Sequence, residues 1–220
     1  GSSGKTTVKN LLGNLLKTYD KSYFSPKSFN DHFGVPLSIS NLEQSFNYGV
    51  FEVGMSRRGE IFNLSKIIKP NIGIITNVAE AHIENFNTLK DIAKAKSEII
   101  DNICEGGCLV INKDDKFFDY FKNKAEKNNV KVYSFGLNKK ADVYPISFKK
   151  LKGYNYLKAM VFDEVYELNF KDHYLINILN VLTVINLLKL NMNKITKKIR
   201  KINLSEGRGK IHRVKMNRLN

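Results

Sequence analysis

Gly1-Ser2-Ser3-Gly4-Lys5-Thr6-Thr7 opens the chain and decides the fold. Gly-x-x-Gly-Lys-Thr is the core of a phosphate-binding loop, in which backbone N–H groups and a helix N-terminus surround phosphate oxygens. In such a loop Lys5 reaches the β- and γ-phosphates of a nucleotide, and the Thr6 hydroxyl helps to hold Mg²⁺. Gly-Ser-Ser-Gly is also a sequence that expression tags leave behind. The amphipathic helix predicted directly after Lys5 favours the phosphate-binding loop.

Downstream of the loop, strand-like apolar runs alternate with helical stretches. The predicted strands cover 48–53, 72–77, 108–112 and 130–135, and the predicted helices 8–16, 61–68, 89–103 and 115–128. This alternation predicts an α/β fold with a mostly parallel sheet and helices on both faces. Residues 142–170 contain three strand-like runs without helices between them and predict a small antiparallel β appendage. Two further helices are expected over 174–190 and 194–202, and a polar connector over 205–220.

Composition excludes several classes of protein. Hydrophobic residues make up 42% of the 220 residues, but no apolar run approaches the roughly 20 residues that a membrane helix needs. The N-terminus has no signal-peptide pattern. Cys104 and Cys108 are too few for a disulfide framework or a four-cysteine zinc site. We therefore expect a cytoplasmic protein without a membrane partner.

The net charge of +15 comes almost wholly from residues 113–220, which hold 24 Lys/Arg and 10 Asp/Glu. Such a surface could attract nucleic acid or phosphorylated small molecules. The lysines are scattered along amphipathic segments, and the chain is rich in Asn and Ile as well. Compositional bias is therefore the favoured explanation, and nucleic acid is not expected as a partner.

Polar residues follow two of the predicted strands. Glu52 ends one strand, where a carboxylate could ligate Mg²⁺, although a cap or an ion pair is the commoner role. His82 follows the next strand and could bind a metal, although a lone histidine is usually packed or solvated. Lys94 and Lys96 fall on a predicted helix, where lysines are ordinarily exposed.

Taken together, seven motifs occur in an order that resembles the Mur ligases. They are Gly1–Thr7, Phe29–Leu37, Glu52-Val-Gly54 with Gly59-Glu60, Asn77 through Ala81-His82, Ala95–Glu98, His173–Asn177 and Glu206–Gly209. The resemblance covers nearly the whole chain. It is strongest to the branch of the family that adds a D-alanyl-D-alanine dipeptide, and the folylpolyglutamate synthases are the nearest alternative within the superfamily.

The resemblance implies a role for each matching residue. The residues implied to bind ATP are Gly1, Ser2, Ser3, Gly4, Lys5, Thr6, Thr7, Asn30, Asn177 (adenine) and Arg208 (phosphates). Those implied to hold Mg²⁺ are Thr6, Glu52, His82 and Lys96, the last as a carbamate formed with CO₂. Lys5, His82 and Lys96 are the implied catalytic residues, and Lys94 is expected at the surface. Asp31 stands where the family often has a second Asn, which puts the phosphate contact of that motif in doubt.

The resemblance further implies an ATP-dependent ligase of peptidoglycan precursor synthesis. Its substrates would be UDP-N-acetylmuramoyl-tripeptide and D-alanyl-D-alanine, joined through an acyl phosphate with ATP and Mg²⁺. Residues 1–204 would form the central ATP-binding domain, 205–220 a linker, and the two substrate-binding domains would lie outside the chain. A P-loop NTPase without ligase activity is the competing hypothesis, and it requires neither His82 nor Lys96.

Overall fold

The computed structural model describes residues 4–79, 86–171 and 174–202, which form seven α-helices and eight β-strands. The helices are α1 (Lys5–Lys17), α2 (Gly34–Ser40), α3 (Glu60–Ile68), α4 (Leu89–Ser97), α5 (Phe118–Lys127), α6 (Leu175–Leu187) and α7 (Met192–Ile199). The strands are β1 (Ser22–Phe24), β2 (Tyr48–Val50), β3 (Ile72–Ile75), β4 (Cys108–Asn112), β5 (Lys131–Phe135), β6 (Val143–Leu151), β7 (Tyr154–Val161) and β8 (Glu164–Phe170). A 3₁₀ helix, Glu98–Asn102, continues α4.

The strands form two sheets. The larger has the order β3-β4-β5-β6-β7-β8, and β1 and β2 form a separate parallel pair. Strands β3 to β5 are mutually parallel, whereas β6, β7 and β8 are antiparallel. The α/β fold with a mostly parallel sheet and antiparallel strands near 142–170 is confirmed. Those antiparallel strands extend the main sheet, because β6 pairs with β5 through Val143 and Phe135.

Helices cover both faces of the larger sheet, as strand β4 shows. Its Val110 belongs to a core shared with α1, α6 and α7, whereas Leu109 and Ile111 belong to a core shared with α5. This alternation follows from the two-residue period of a strand. Both faces of β4 are apolar, which is typical of a parallel strand covered on both sides.

Several predicted elements end earlier than the sequence pattern indicated. Strand β2 ends at Val50, and the Glu52 N–H donates to the Ser25 hydroxyl at 3.4 Å. Strand β1 and helix α2 were not predicted. Helix α2 contains Pro36 in its first turn, where proline is tolerated because that N–H has no helical partner. Because glycine and proline both favour turns, the sequence Gly34-Val-Pro36 resembles a turn and not the start of a helix.

Helix α6 is mostly apolar and buried, and three of its four polar side chains are buried as well. Asn180 among them is 1% exposed, and neither Oδ1 nor Nδ2 has a hydrogen-bond partner within the described ranges. An unpaired buried amide costs about 1–3 kcal/mol. Asn180 therefore lowers the stability of this core.

Replacing Asn180 by leucine, which has the same branched shape and number of side-chain heavy atoms, should raise the free energy of unfolding by about 1 kcal/mol or more. Urea denaturation followed by circular dichroism measures the change. Thr183→Val is the matched control on the same helix. The Thr183 hydroxyl donates to the Leu179 carbonyl at 2.9 Å, so no comparable gain is expected. Destabilisation by Asn180→Leu would mean that the amide is satisfied in the folded protein.

Candidate nucleotide and metal site

Helix α1 begins at the predicted phosphate loop. Gly4 precedes the helix with φ 99°, a left-handed conformation that favours glycine, and its carbonyl accepts the Val8 N–H at 2.8 Å. Lys5 and Thr6 follow in the first turn, which contains no acidic residue. The positive end of the helix dipole is thus available to an anion. Gly1, Ser2 and Ser3 lie outside the described residues.

Asn177, the predicted adenine-binding residue, lies beside this loop. It is buried in the first turn of α6. A Cβ atom added to Gly4 would be 2.8 Å from the Asn177 Oδ1, which is closer than real Cβ atoms come to other atoms. The loop and α6 therefore meet at Gly4, where a side chain has no room.

Glu52 lies two residues beyond β2 and is only 4% exposed. Its Oε1 accepts the Asn30 amide at 2.9 Å, and the Gly54 N–H donates to the Asn30 carbonyl at 2.6 Å. The Glu52 Oε2 is buried and has no hydrogen-bond partner among the described residues. A buried carboxylate oxygen left in this state is costly unless a cation offsets it. Oxygen donors are also what Mg²⁺ prefers, so Glu52 fits a magnesium ligand.

Lys96 is buried on α4 at 7% exposure, whereas Lys94 is exposed as predicted. The pKa of Lys96 is lowered to about 7, chiefly by burial and then by the charge of Lys5, against the opposing effect of Asp115. The structure thus brings together the helix lysine and the loop lysine, which are far apart in sequence. Much of the Lys96 amine is neutral near pH 7, which is the form that attacks CO₂.

Asp115 is a residue of this region that the sequence analysis missed. One carboxylate oxygen accepts the Val78 N–H at 2.6 Å, and the other accepts the Phe117 N–H at 2.9 Å. Asp115 therefore ties the segment after β3 to the start of α5. Its position three residues after β4, near the carboxyl edge of the parallel sheet, was a signal that could have identified it.

Asp31 has a local structural role. Its Oδ1 accepts the Gly34 N–H at 2.7 Å and the Phe33 N–H at 3.1 Å, at the start of α2. The Gly34 hydrogen bond is the largest influence that holds the pKa of this carboxyl below its usual value. The carboxylate that departs from the family pattern is thus engaged by backbone donors.

Two further predicted site residues, His82 and Arg208, also lie outside the described residues, so their placement stays a prediction. Within 4–79, 86–171 and 174–202, no group of three or more His, Cys, Asp or Glu side chains could hold a metal ion. In the same ranges no helix is both long and apolar enough to span a membrane.

Comparison with known proteins agrees with this geometry. Residues 1–188 match the family model of the Mur ligase middle domain. The chain therefore belongs to the Mur ligases, a family of ATP-dependent ligases that form carbon–nitrogen bonds.

The relatives point to one branch of the family. UDP-N-acetylmuramoyl-tripeptide–D-alanyl-D-alanine ligase of Rickettsia prowazekii is 32% identical over all of this chain and 50% of its own length. The Borreliella burgdorferi ligase of the same name is 41% identical over 61% of this chain and 29% of its own length. The chain thus spans about half the length of such relatives or less.

Solved structures give the same result. MurF of Acinetobacter baumannii is similar with a TM-score of 0.88 and 26% identity, over 94% of this chain and 46% of its own. MurF ligase of Thermotoga maritima, solved in complex with ADP, has a TM-score of 0.83 and 28% identity, over 94% of this chain and 48% of its own.

Gly4→Ala should weaken ADP binding by about tenfold or more, since it adds a side chain at positive φ and against Asn177. Isothermal titration calorimetry with ADP and Mg²⁺ measures the effect. Gly153→Ala is the matched control, because Gly153 has φ 86° but open space around its Cβ direction. Equal loss in both variants would show that general destabilisation, and not a change at the loop, is responsible.

Lys96 should make stability depend on pH. The folded chain binds this proton less tightly than the unfolded chain, so between pH 7 and the ordinary value of 10.5 the unfolded chain carries more protons. The free energy of unfolding therefore rises with pH in this window, and Lys96→Met removes that contribution. Urea denaturation in CO₂-free buffer at about pH 7 and about pH 9 measures it. Parallel profiles for wild type, Lys96→Met and the surface control Lys94→Met would contradict the assignment.

Proposed function

We propose that this chain is the ATP-binding, catalytic part of a ligase that joins D-alanyl-D-alanine to UDP-N-acetylmuramoyl-tripeptide. The observation that carries the proposal is the burial of Lys96 within the electrostatic reach of Lys5. Burying one lysine near another is unfavourable, and a phosphate loop that only hydrolyses nucleotide has no need for it. Carbamylation, which removes the positive charge of Lys96, would account for this arrangement.

Each site residue is assigned a nucleotide or metal contact from its position. Lys5 and the backbone N–H groups at the start of α1 bind the triphosphate, and Asn177 contacts the adenine base. Thr6 and Glu52 would hold Mg²⁺, with His82 and carbamylated Lys96 at a second ion. Asn30 orients Glu52 through its amide, and Arg208 is assigned to the phosphates. Bound Mg²⁺ neutralises the charge that develops on the phosphoryl oxygens.

The proposed reaction overcomes the poor electrophilicity of a carboxylate. A carboxylate oxygen of the tripeptide attacks the γ-phosphorus and ADP leaves, which forms an acyl phosphate. The dipeptide amine then attacks the carbonyl carbon, loses a proton, and expels phosphate that retains the carboxylate oxygen. Lys5 stabilises the transferring phosphoryl group, and no nucleophilic side chain is required.

The proposal includes parts outside the described residues. Since the relatives are about twice as long, we assign recognition of the nucleotide sugar and of the dipeptide to flanking domains. This chain alone is then expected to bind ATP weakly and to ligate nothing. A cytoplasmic location is proposed because ATP and the nucleotide-linked precursor are cytoplasmic substrates.

An isotope experiment on the protein that contains this chain together with both substrate-binding domains tests the reaction. The tripeptide carboxylate is labelled with ¹⁸O, and the released phosphate is analysed by mass spectrometry. One ¹⁸O atom should appear in phosphate for each amide bond formed, and release should require the dipeptide. Glu52→Gln should lower the rate by about 100-fold or more, whereas Lys94→Gln should have no effect. Unlabelled phosphate, released without either substrate, would instead identify a non-ligase NTPase.

A further inference from the structure

Lys9 is a buried cation that the proposed reaction does not use. It lies on α1 four residues after Lys5 and three after Thr6, so the three side chains share one face of the helix. Lys9 is 3% exposed, although lysine is almost never fully buried without a partner. Its ammonium group therefore needs a structural or functional explanation.

The Lys9 ammonium group is bound by the segment that follows β1. Its Nζ donates to the Ser25 carbonyl at 2.7 Å and also to the Lys27 carbonyl. Helix α1 is thereby fastened to residues 25–27. Proline at position 26 cannot donate a backbone hydrogen bond, and the connection to helix α1 is made through the carbonyls on either side of it.

The same segment holds Glu52. The Ser25 N–H donates to the Val50 carbonyl at 3.0 Å, and the Ser25 hydroxyl accepts the Glu52 N–H at 3.4 Å. Further along, the Asn30 side-chain amide donates to the Glu52 carboxylate, and the Asn30 carbonyl accepts the N–H of Gly54, two residues after Glu52. Lys9, Ser25 and the Glu52 backbone thus form a continuous path of hydrogen bonds from the phosphate-loop helix to the residue that carries the carboxylate.

Charge supports this connection. Burial lowers the pKa of Lys9, while the negative charge of Glu52 raises it, which places the two groups within electrostatic reach. No direct ion pair between Lys9 and Glu52 is formed among the described residues. Lys9 consequently offsets part of the buried charge and leaves the Glu52 Oε2 without a protein donor.

We propose that Lys9 is a positioning residue, which fixes Glu52 relative to Thr6 by binding the segment 25–27 to helix α1. The proposal rests on the proposed function, because it assumes that Glu52 and Thr6 hold the metal of a metal–nucleotide complex. Lys9 itself touches neither metal nor nucleotide in this role. It determines the distance between the two elements that carry the ligands.

The direction in which metal affinity changes when Lys9 is replaced distinguishes a positioning role from simple charge repulsion. If Lys9 only repelled a cation, its removal would tighten metal binding. If Lys9 positions Glu52, its removal weakens metal binding and leaves the metal-free nucleotide contacts of the loop unchanged. Lys9→Met tests this, because methionine fills a similar volume without charge or donors, and Lys17→Met is the exposed control on the same helix.

Binding of Mn²⁺–ADP, followed by electron paramagnetic resonance of free Mn²⁺, is the first measurement. Lys9→Met should weaken binding by about tenfold, whereas ADP binding in EDTA and all values for Lys17→Met should stay within about twofold. In Glu52→Gln the additional Lys9→Met change should have little further effect, because both act on one ligand. Unchanged or tighter Mn²⁺–ADP binding, or independent effects in the double variant, would overturn the proposal.

Amide hydrogen exchange without nucleotide is the second measurement, and it separates this proposal from the proposed function. Lys9→Met should accelerate exchange of the Ser25, Glu52 and Gly54 amides, and Lys17→Met should not. Unchanged exchange would overturn the role of Lys9 even if the nucleotide binds. If the wild type does not bind Mn²⁺–ADP, the proposed function fails, while accelerated exchange would still support the Lys9 link.

If Lys9→Met does not fold, Lys9→Gln, which keeps a donor, and Lys9→Arg, which keeps the charge, take its place. Both should retain more exchange protection than Lys9→Ala.

Discussion

Buried charge at the start of helix α1 is the constraint on which the rest of the site depends. Lys9, Glu52 and Lys96 are each less than a tenth exposed, and all three interact with groups on or near this helix. Burying an ionised group costs several kcal/mol unless other charges or hydrogen bonds offset it. A fold that buries three ionisable groups in one region must offset their charges and satisfy their hydrogen bonds together. That requirement links the loop, the segment after β1, the end of β2 and helix α4.

The arrangement also explains how distant segments form one site. The segments after β3 and β4 leave the carboxyl edge of the larger sheet, and the segment after β2 leaves the separate β1–β2 pair, which packs against α1. Glu52, Val78 and Asp115 come from these three positions, and each is held by a hydrogen bond to another segment. The site is therefore built from side chains that fasten loops to each other. Such mutual support keeps ligand groups in place before a nucleotide binds.

The sequence predicted the fold class well because its signals are local. The glycine loop, the apolar period of α1 and the run Cys108–Asn112 each indicate an element without reference to the rest of the chain. Boundaries were less accurate where tertiary contacts decide them. Strand β2 ends early beside Ser25, and α5 begins at Phe118, after Asp115 has bound the Phe117 N–H.

The candidate site was only partly predictable for a physical reason. Motifs predicted roles for Glu52 and Asn177, but burial cannot be predicted for a lysine in an amphipathic helix. The pattern treats Lys94 and Lys96 alike, although one is exposed and the other is buried near Lys5. Lys9 lies among apolar residues of α1 and was missed, because its partners are carbonyl groups, which carry no sequence signature.

The unpaired oxygen of Glu52 is proposed to belong to a metal–nucleotide site at the start of α1. Anomalous diffraction from a crystal of this chain with Mn²⁺ and ADP tests it most directly. A manganese peak is expected about 2.0–2.3 Å from the Glu52 Oε2, with the Thr6 hydroxyl and a phosphate oxygen as further ligands. A bound nucleotide whose metal lies elsewhere, with Glu52 still bonded to Asn30 alone, would contradict it.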